Sequence, residues 1–294
     1  NRLGTAVTVV GRSDKILPKE DRDMADAVQS ALAAEGVAFH LGAAVNKVAS
    51  AGQKKTVSIT LNQGAALDLT AETLLVAAGR TPNVDGLDLE AAGVDYDRSG
   101  IRVDARMRTS QRHIFAAGDV SGGYLFTHAA GYEGGIVVSN AVFHLPRKAD
   151  YTWLPWCTYT DPELASIGMN ERVAAASGID TTVWSEAFAE NDRALAEGRT
   201  DGRVKLILDK KENPLGVQIL GARAGDLIAE WVAALNGGVK LSTLASAVHP
   251  YPTLGEISKR VTGAVFSKKI FSDTVQKGLK LIFHLKGRAC SPDA

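Results

Sequence analysis

The sequence predicts an α/β chain: part of a doubly wound nucleotide-binding domain, then a C-terminal α+β unit. Three observations carry this. Two buried-type apolar runs, Ala6–Val10 (AVTVV) and Thr73–Ala78 (TLLVAA), bracket an amphipathic helix and an alternating strand. From Tyr151 onward the texture changes to several short strands followed by helices. With 294 residues, 45% hydrophobic and 22% charged, the chain is long and apolar enough to bury more than one core.

Taken in order, Ala6–Val10 reads as a buried parallel strand. Asp21–Glu35 reads as a helix, with Met24, Val28, Ala31 and Leu32 on one face and Gly36 as its stop. Val37–Phe39 and Ala44–Ala49 lead to Thr56–Leu61, whose alternation predicts a strand, and Asn62-Gln63-Gly64 is a turn. Thr73–Ala78 is a further strand, ended by Gly79. GRTPN (79–83) marks a domain boundary. Ile114–Ala117 is a strand, Gly118 to Gly123 a loop, Thr127–Val142 a helix and Leu145–Asp150 a linker. Strands follow at Trp156–Thr160, Thr181–Phe188, Val204–Leu208 and Gly216–Leu220, and helices at Ala224–Leu235, Leu241–Val248 and Leu254–Phe266. These breaks divide the chain at 1–78, 79–148 and 149–294. The opening NRLGTAVTVVGR reads as the end of a helix running into a strand, and no GxGxxG occurs. Ala6–Val10 is therefore expected to be a second strand, with the first βα unit before residue 1.

Composition excludes several function classes. Thirty-three basic residues balance 33 acidic ones, so no global field invites nucleic acid. Cys157 and Cys290 form no CxxC, and the six histidines are scattered, so neither a disulfide scaffold nor a metal site is expected. No apolar run reaches the length of a membrane span, membrane contact is not expected, and no signal peptide opens the chain. The expected setting is reducing and cytoplasmic.

Two segments carry chemistry. In TSQRHIFAAGDV (109–120) a carboxylate, Asp119, follows an apolar run among glycines, where it can accept from a sugar hydroxyl. The helix starting at Thr127 aims unpaired N–H groups and the positive end of its dipole at whatever lies in front, which suits a ring that becomes anionic on reduction. Taken alone, an ordinary Gly-Asp turn is an equal reading. HPYPTLGE (249–256) is a proline-fixed turn that brings His249, Tyr251 and Glu256 together. By itself it also reads as a rigid packed turn with a buried Tyr hydroxyl.

Five segments in order, GRTPN, TSQRHIFAAGDV, FTHAAGYEG, TDPELASIG and HPYPTLGE, resemble the pyridine nucleotide–disulfide oxidoreductases over residues 3 to 267. The resemblance implies FAD and NADP (or NAD) as cofactors and a C-terminal dimerisation domain that makes a homodimer. It implies that Asp119 bonds the ribityl chain, with Gly118 beside it in the cofactor-binding loop, that the backbone of Thr127 and His128 faces the flavin pyrimidine, and that Gly79 passes close to the nicotinamide nucleotide. After Ala6–Val10 comes Arg12, with Lys15 nearby, where NAD enzymes place an acid. This points to NADP, against a plain solvated loop. Electrons would pass from NAD(P)H through flavin to a Cys pair outside this chain, then to a small-molecule or metal-ion acceptor. The chain alone is expected to be inactive, and an isolated, catalytically inert dimerisation module is an alternative reading.

In the family's disulfide reductases a His precedes the proline of the last turn, with a Glu five residues after that His. Here Tyr251 takes that place, Glu256 lies five residues on, and His249 stands two residues earlier. A phenol with a pKa of about 10 is a poor base. The Pro-Tyr pair resembles mercuric reductases, whose terminal vicinal Cys pair is replaced here by the single Cys290; a dihydrolipoamide dehydrogenase-like enzyme is the alternative. The catalytic candidates are therefore Tyr251, Glu256 and His249. For the His128 side chain a plain water-bonded role is preferred, and Cys157 reads as a small apolar residue. Ile270–Arg288 carries an apolar stripe and is expected to pack on its own domain or dimer, with a membrane or partner surface as the other reading.

Overall fold

A computed structural model describes residues 1–284; Lys286, Arg288 and Cys290 lie outside the described residues. The chain forms two compact units, residues 1–42 with the stretch from Cys157 onward, and Ala43–Trp156.

Strands β1 (Thr8–Val10) and β2 (Ala38–His40) run parallel, Thr8 opposite Ala38, with α1 (Arg22–Ala34) as the crossover. Met24 and Val28, on the stripe the periodicity marks, are fully buried with Leu164 and Leu220, and Leu32 packs on them.

The second unit opens with an antiparallel meander of β3 (Ala43–Ala51), β4 (Lys54–Leu61) and β5 (Ala66–Ala71), which sets Val48, Val57 and Leu69 side by side. The predicted turn is there, closed by the Leu61 N–H donating to Ala65 O at 2.9 Å. Thr73–Ala78 is not a strand, against expectation: no strand among the described residues pairs with it, and Leu75 is 87% exposed. A parallel-sheet strand forms only with ladder partners and cover on its faces, and apolar composition supplies neither. Ile114–Ala117 is not a strand either; only an isolated bridge joins Arg108 to Phe115. That stretch is held by packing instead, since Ala116 joins Leu89, Val94 and Ile101 in a small core that Ile114 and Val120 complete. Ile101 belongs to a short hairpin, β6 (Tyr96–Asp97) and β7 (Gly100–Ile101). Helix α2 (Thr127–Ala141) buries Ala129, Glu133 and Ile136.

The C-terminal part is a five-stranded sheet with helices, the α+β unit the sequence predicts. Its elements are β8 (Pro155–Thr158), β9 (Glu163–Gly168), α3 (Glu171–Ala176), β10 (Thr181–Ala187), α4 (Asp192–Glu197), β11 (Arg203–Asp209) and β12 (Pro214–Gly221). The order is β10-β11-β12-β9-β8, antiparallel through β10, β11, β12 and β9. β11 and β12 read as near-continuous apolar runs because both their faces are covered. Helices α5 (Ala224–Asn236), α6 (Leu241–Ser246) and α7 (Glu256–Ile270) follow, and the fully buried Trp231 of α5 donates its indole N–H to Ser258 of α7 at 3.0 Å. Helix α8 (Asp273–Ile282) ends the described chain. It does not pack on its own domain: Phe271 is 71% and Ile282 69% exposed.

An ion cluster ties α1 to this sheet. Lys205 of β11, 3% exposed, places its Nζ 2.8 Å from Asp21 and 2.9 Å from Asp23 and also pairs with Glu171. These three carboxylates are the one group among the described residues spaced to hold a metal ion, and they close on the Lys205 ammonium.

Candidate functional site

The Gly-Asp loop is built by packing from below. Gly118 has φ 79°, a left-handed conformation that favours glycine, and a Cβ there would come 3.1 Å from that of Ala130 on α2. Its N–H donates to Glu133 Oε2 at 2.6 Å, and Glu133 Oε1 accepts from the Tyr151 hydroxyl at 2.7 Å. Burial, then the bond to Glu133, push the Tyr151 phenol well above its ordinary value, so it stays a donor. Glu133 went unremarked in the sequence; its signal was only an acid on the helix face that also carries Ala129 and Ile136.

So anchored, the loop turns Asp119 outward onto a cleft of about 610 Å³, lined by Arg80, Asn83, Arg98, Asp119, Gly122 and Leu125 among others. Arg80, from GRTPN, donates to Leu125 O at 2.8 Å and lies 3.4 Å from the Asp119 carboxylate. The two motifs, 39 residues apart, thus meet in one cleft. Gly79 next to it has φ 125° with nothing within 4 Å of a Cβ position, leaving its face open. Helix α2 starts after Phe126 without a side-chain cap, so its first amides point out unpaired by any side chain. The His128 ring is turned aside: it stacks on Phe126, centroids 5.2 Å apart, and bonds Pro155 O at 2.8 Å. One ring nitrogen thus has a backbone carbonyl as its partner.

In the other unit, Arg12 is exposed on the loop after β1, and among the described residues no ion pair or hydrogen bond holds it. Its neighbours are committed: Asp14 pairs with Arg22 at 2.9 Å, and Lys15 bonds Glu20 O.

The last turn brings its three residues together with separate partners. His249, its side chain 12% exposed, meets Glu230 of α5 through Nε2 at 2.8 Å. Tyr251 is 70% exposed and donates its hydroxyl to Asp192 of α4 at 2.8 Å. That bond, with the charge of Asp192 behind it, raises the phenol pKa above its ordinary value. Glu256 accepts from the Thr253 N–H at 3.2 Å, so it braces the turn. Tyr251 thus meets Asp192 and Glu256 meets the backbone, and a His–carboxylate pair stands two residues before the tyrosine. Glu230 and Asp192 were missed in the sequence, lying 19 and 59 residues from their partners. Cys157 is a free thiol pushed up to about 12 by burial, then by the charges of Glu163 and Asp226. A thiol so protonated is a poor nucleophile, as its reading as an apolar residue requires.

The chain belongs to the pyridine nucleotide-disulphide oxidoreductase family, FAD-dependent enzymes that use NAD(P)H: the family model matches residues 1–134 and the model of its dimerisation domain residues 154–261. Among curated relatives it is 36% identical to dihydrolipoyl dehydrogenase 3 of Haloarcula marismortui, over 87% of this chain and 55% of that protein. It is 34% identical to mercuric reductase of Lysinibacillus sphaericus, over 92% of this chain and 50% of the other. It also resembles the copper(II) complex of the HOCl-induced flavoprotein disulfide reductase RclA of Escherichia coli, with TM-score 0.81 and 29% identity over 89% of this chain and 59% of that one. The chain spans about half the length of the curated relatives it matches.

Proposed function

We propose that the chain is the C-terminal part of a cytoplasmic, homodimeric FAD- and NADPH-dependent oxidoreductase that delivers electrons to a thiophilic metal ion, as a mercuric reductase does. In this reading residues 1–78 are a partial nicotinamide nucleotide domain, 79–148 the return segment of the FAD domain and 149–294 the dimerisation domain. The Arg80–Asp119 cleft carries the proposal. Its residues suit a flavin: Asp119 has an exposed carboxylate to accept from ribityl hydroxyls, Gly118 lets the chain turn tightly there, and the uncapped amides of Thr127 and His128 can donate to the pyrimidine oxygens. The open face of Gly79 leaves room for a nicotinamide nucleotide. FAD, when bound, supplies two-electron transfer between NADPH and thiols. The exposed Val248 and Tyr251 support a second copy against this face.

Arg12 is the NADPH determinant in this reading, a guanidinium without a partner among the described residues, offered to a 2′-phosphate. In the full-length enzyme Arg12→Glu is expected to lower the preference for NADPH over NADH about tenfold, the effect of roughly 1.4 kcal/mol. Unchanged kcat/KM values for both nucleotides would remove Arg12 from the site.

The acceptor turns on Tyr251. Held protonated by Asp192, it donates a hydrogen bond and does not take up a proton, so it does not serve as the base of thiol–disulfide exchange. The His249–Glu230 pair favours a second reading, a dihydrolipoamide dehydrogenase-like enzyme whose base has moved two residues upstream. Single variants of the full-length enzyme separate the two. If the acceptor is Hg(II), Tyr251→Phe lowers Hg(II)-dependent NADPH oxidation about tenfold or more and His249→Gln leaves it nearly intact. Loss of lipoamide turnover by about 10²-fold or more in His249→Gln, with Tyr251→Phe silent, would instead establish the disulfide reading. The isolated 294-residue chain is expected to be colourless and inactive; a yellow preparation that retains FAD would show that these residues suffice for flavin binding.

A further inference from the structure

We propose that α8 docks the protein on an anionic membrane surface. The helix is amphipathic at its own period: Val275, Leu279 and Ile282 stand at i, i+4 and i+7, and Phe271 and Phe283 extend the same apolar arc at its two ends. All five are exposed, so this face covers no core of the chain. Asp273, Gln276, Lys277 and Lys280 occupy the opposite arc. The chain as a whole carries no net charge, yet between Ser267 and Arg288 the sequence holds six Lys or Arg against the single acid Asp273. The match to the dimerisation domain ends at residue 261, so the helix is an addition to the domain that the family model describes. No helix among the described residues is long and apolar enough to cross a membrane. A short apolar face beneath lysines lies instead in the interfacial plane, its aromatic and aliphatic groups among the acyl chains and its ammonium groups at the lipid phosphates.

Charge decides between lipid and a second copy of the helix. A two-fold contact sets this segment against itself, lysines facing lysines, and the surplus of positive charge opposes it. Anionic headgroups neutralise the same surplus.

The test uses the whole 294-residue chain and sedimentation with vesicles of phosphatidylcholine alone or mixed with phosphatidylglycerol. The expected result is partition onto phosphatidylglycerol vesicles at low salt, release as ionic strength rises, and little binding to phosphatidylcholine. Val275→Asp combined with Leu279→Asp, and separately Lys277→Glu combined with Lys280→Glu, should each lower the partition at least about tenfold. Circular dichroism and thermal unfolding of the variants should match the parent, since the altered side chains are exposed. No binding, equal binding to both vesicle types, or variants that bind as the parent does would overturn the proposal. A dimer that becomes monomer in analytical ultracentrifugation on Val275→Asp/Leu279→Asp, without vesicle binding by the parent, would assign the face to a second copy and also overturn it.

Discussion

Lys205→Met is expected to destabilise the chain by about 3 kcal/mol, the lower end of the 3–5 kcal/mol range for breaking a buried ion pair. The lower end applies because Asp21, stranded without its ammonium, keeps two donors: the N–H groups of Glu171 at 3.1 Å and Arg172 at 3.0 Å, where it caps α3. Asp23 and Glu171 are half-exposed and regain water. Urea unfolding should show a lower midpoint at unchanged slope, and an unchanged midpoint would mean that the cluster contributes nothing net. Adding Asp21→Asn should restore part of the loss by removing the stranded charge. The pH dependence has a definite sign. Burial alone would raise the Asp23 pKa, but the Lys205 hydrogen bond and the charges of Lys205 and Arg203 hold it below 3.8. Its stabilising contribution is therefore present above that value and lost as pH falls through the lowered one. Burial would also lower Lys205, but its three carboxylates raise it above 10.5, so its contribution is full below that pH and is lost as pH rises through the folded value. The parent should thus lose stability below about pH 4 and again in strong alkali, and Lys205→Met should flatten both limbs.

Glu133→Ala is expected to have the largest effect on the Arg80–Asp119 cleft, the flavin site of the proposed reading. It strands two buried or half-buried donors, the Gly118 N–H and the Tyr151 hydroxyl, each bonded to a charged oxygen. At about 1.5–3 kcal/mol per charged hydrogen bond, the loss is roughly 3 kcal/mol or more. Because Gly118 carries Asp119, the turn should shift and FAD affinity in the full-length enzyme should fall by about tenfold or more, a change of roughly 1.4 kcal/mol. Glu133→Gln keeps one acceptor oxygen and should fall between the two. Fluorescence titration with FAD reads the affinity and thermal unfolding the stability. A stability loss with unchanged FAD affinity would show that the anchor serves only the fold.

Much of the fold was legible. The α1 stripe of Met24, Val28 and Leu32, the alternation of β4, the apolar runs of β11 and β12 and the helices α2, α5 and α7 all express periods written in consecutive residues. Two strands were misread, Thr73–Ala78 and Ile114–Ala117, because a strand is a property of a pair and the ladder partner is not in the run itself. β9 was carried only as part of TDPELASIG; its small and polar residues hide a strand whose Leu164, Ala165 and Ile167 are nonetheless buried. Asp119, the bare start of α2 and the HPYPT turn could be found because each is local. Glu133, Arg80, Glu230 and Asp192 could not, because their importance comes from partners 15 to 59 residues away.

By itself the sequence determined the class of the chain, the order of its motifs and the presence of Tyr251 in the proline turn, since these depend on residue type and on spacing along one backbone. Only the tertiary structure decided which carboxylate each side chain meets: Glu230 for His249, Asp192 for Tyr251, Asp21 for Lys205. The chain offers 33 acids of similar intrinsic strength. A hydrogen bond discriminates among them by tenths of an ångström and by exclusion of water, quantities that exist only after the elements have packed.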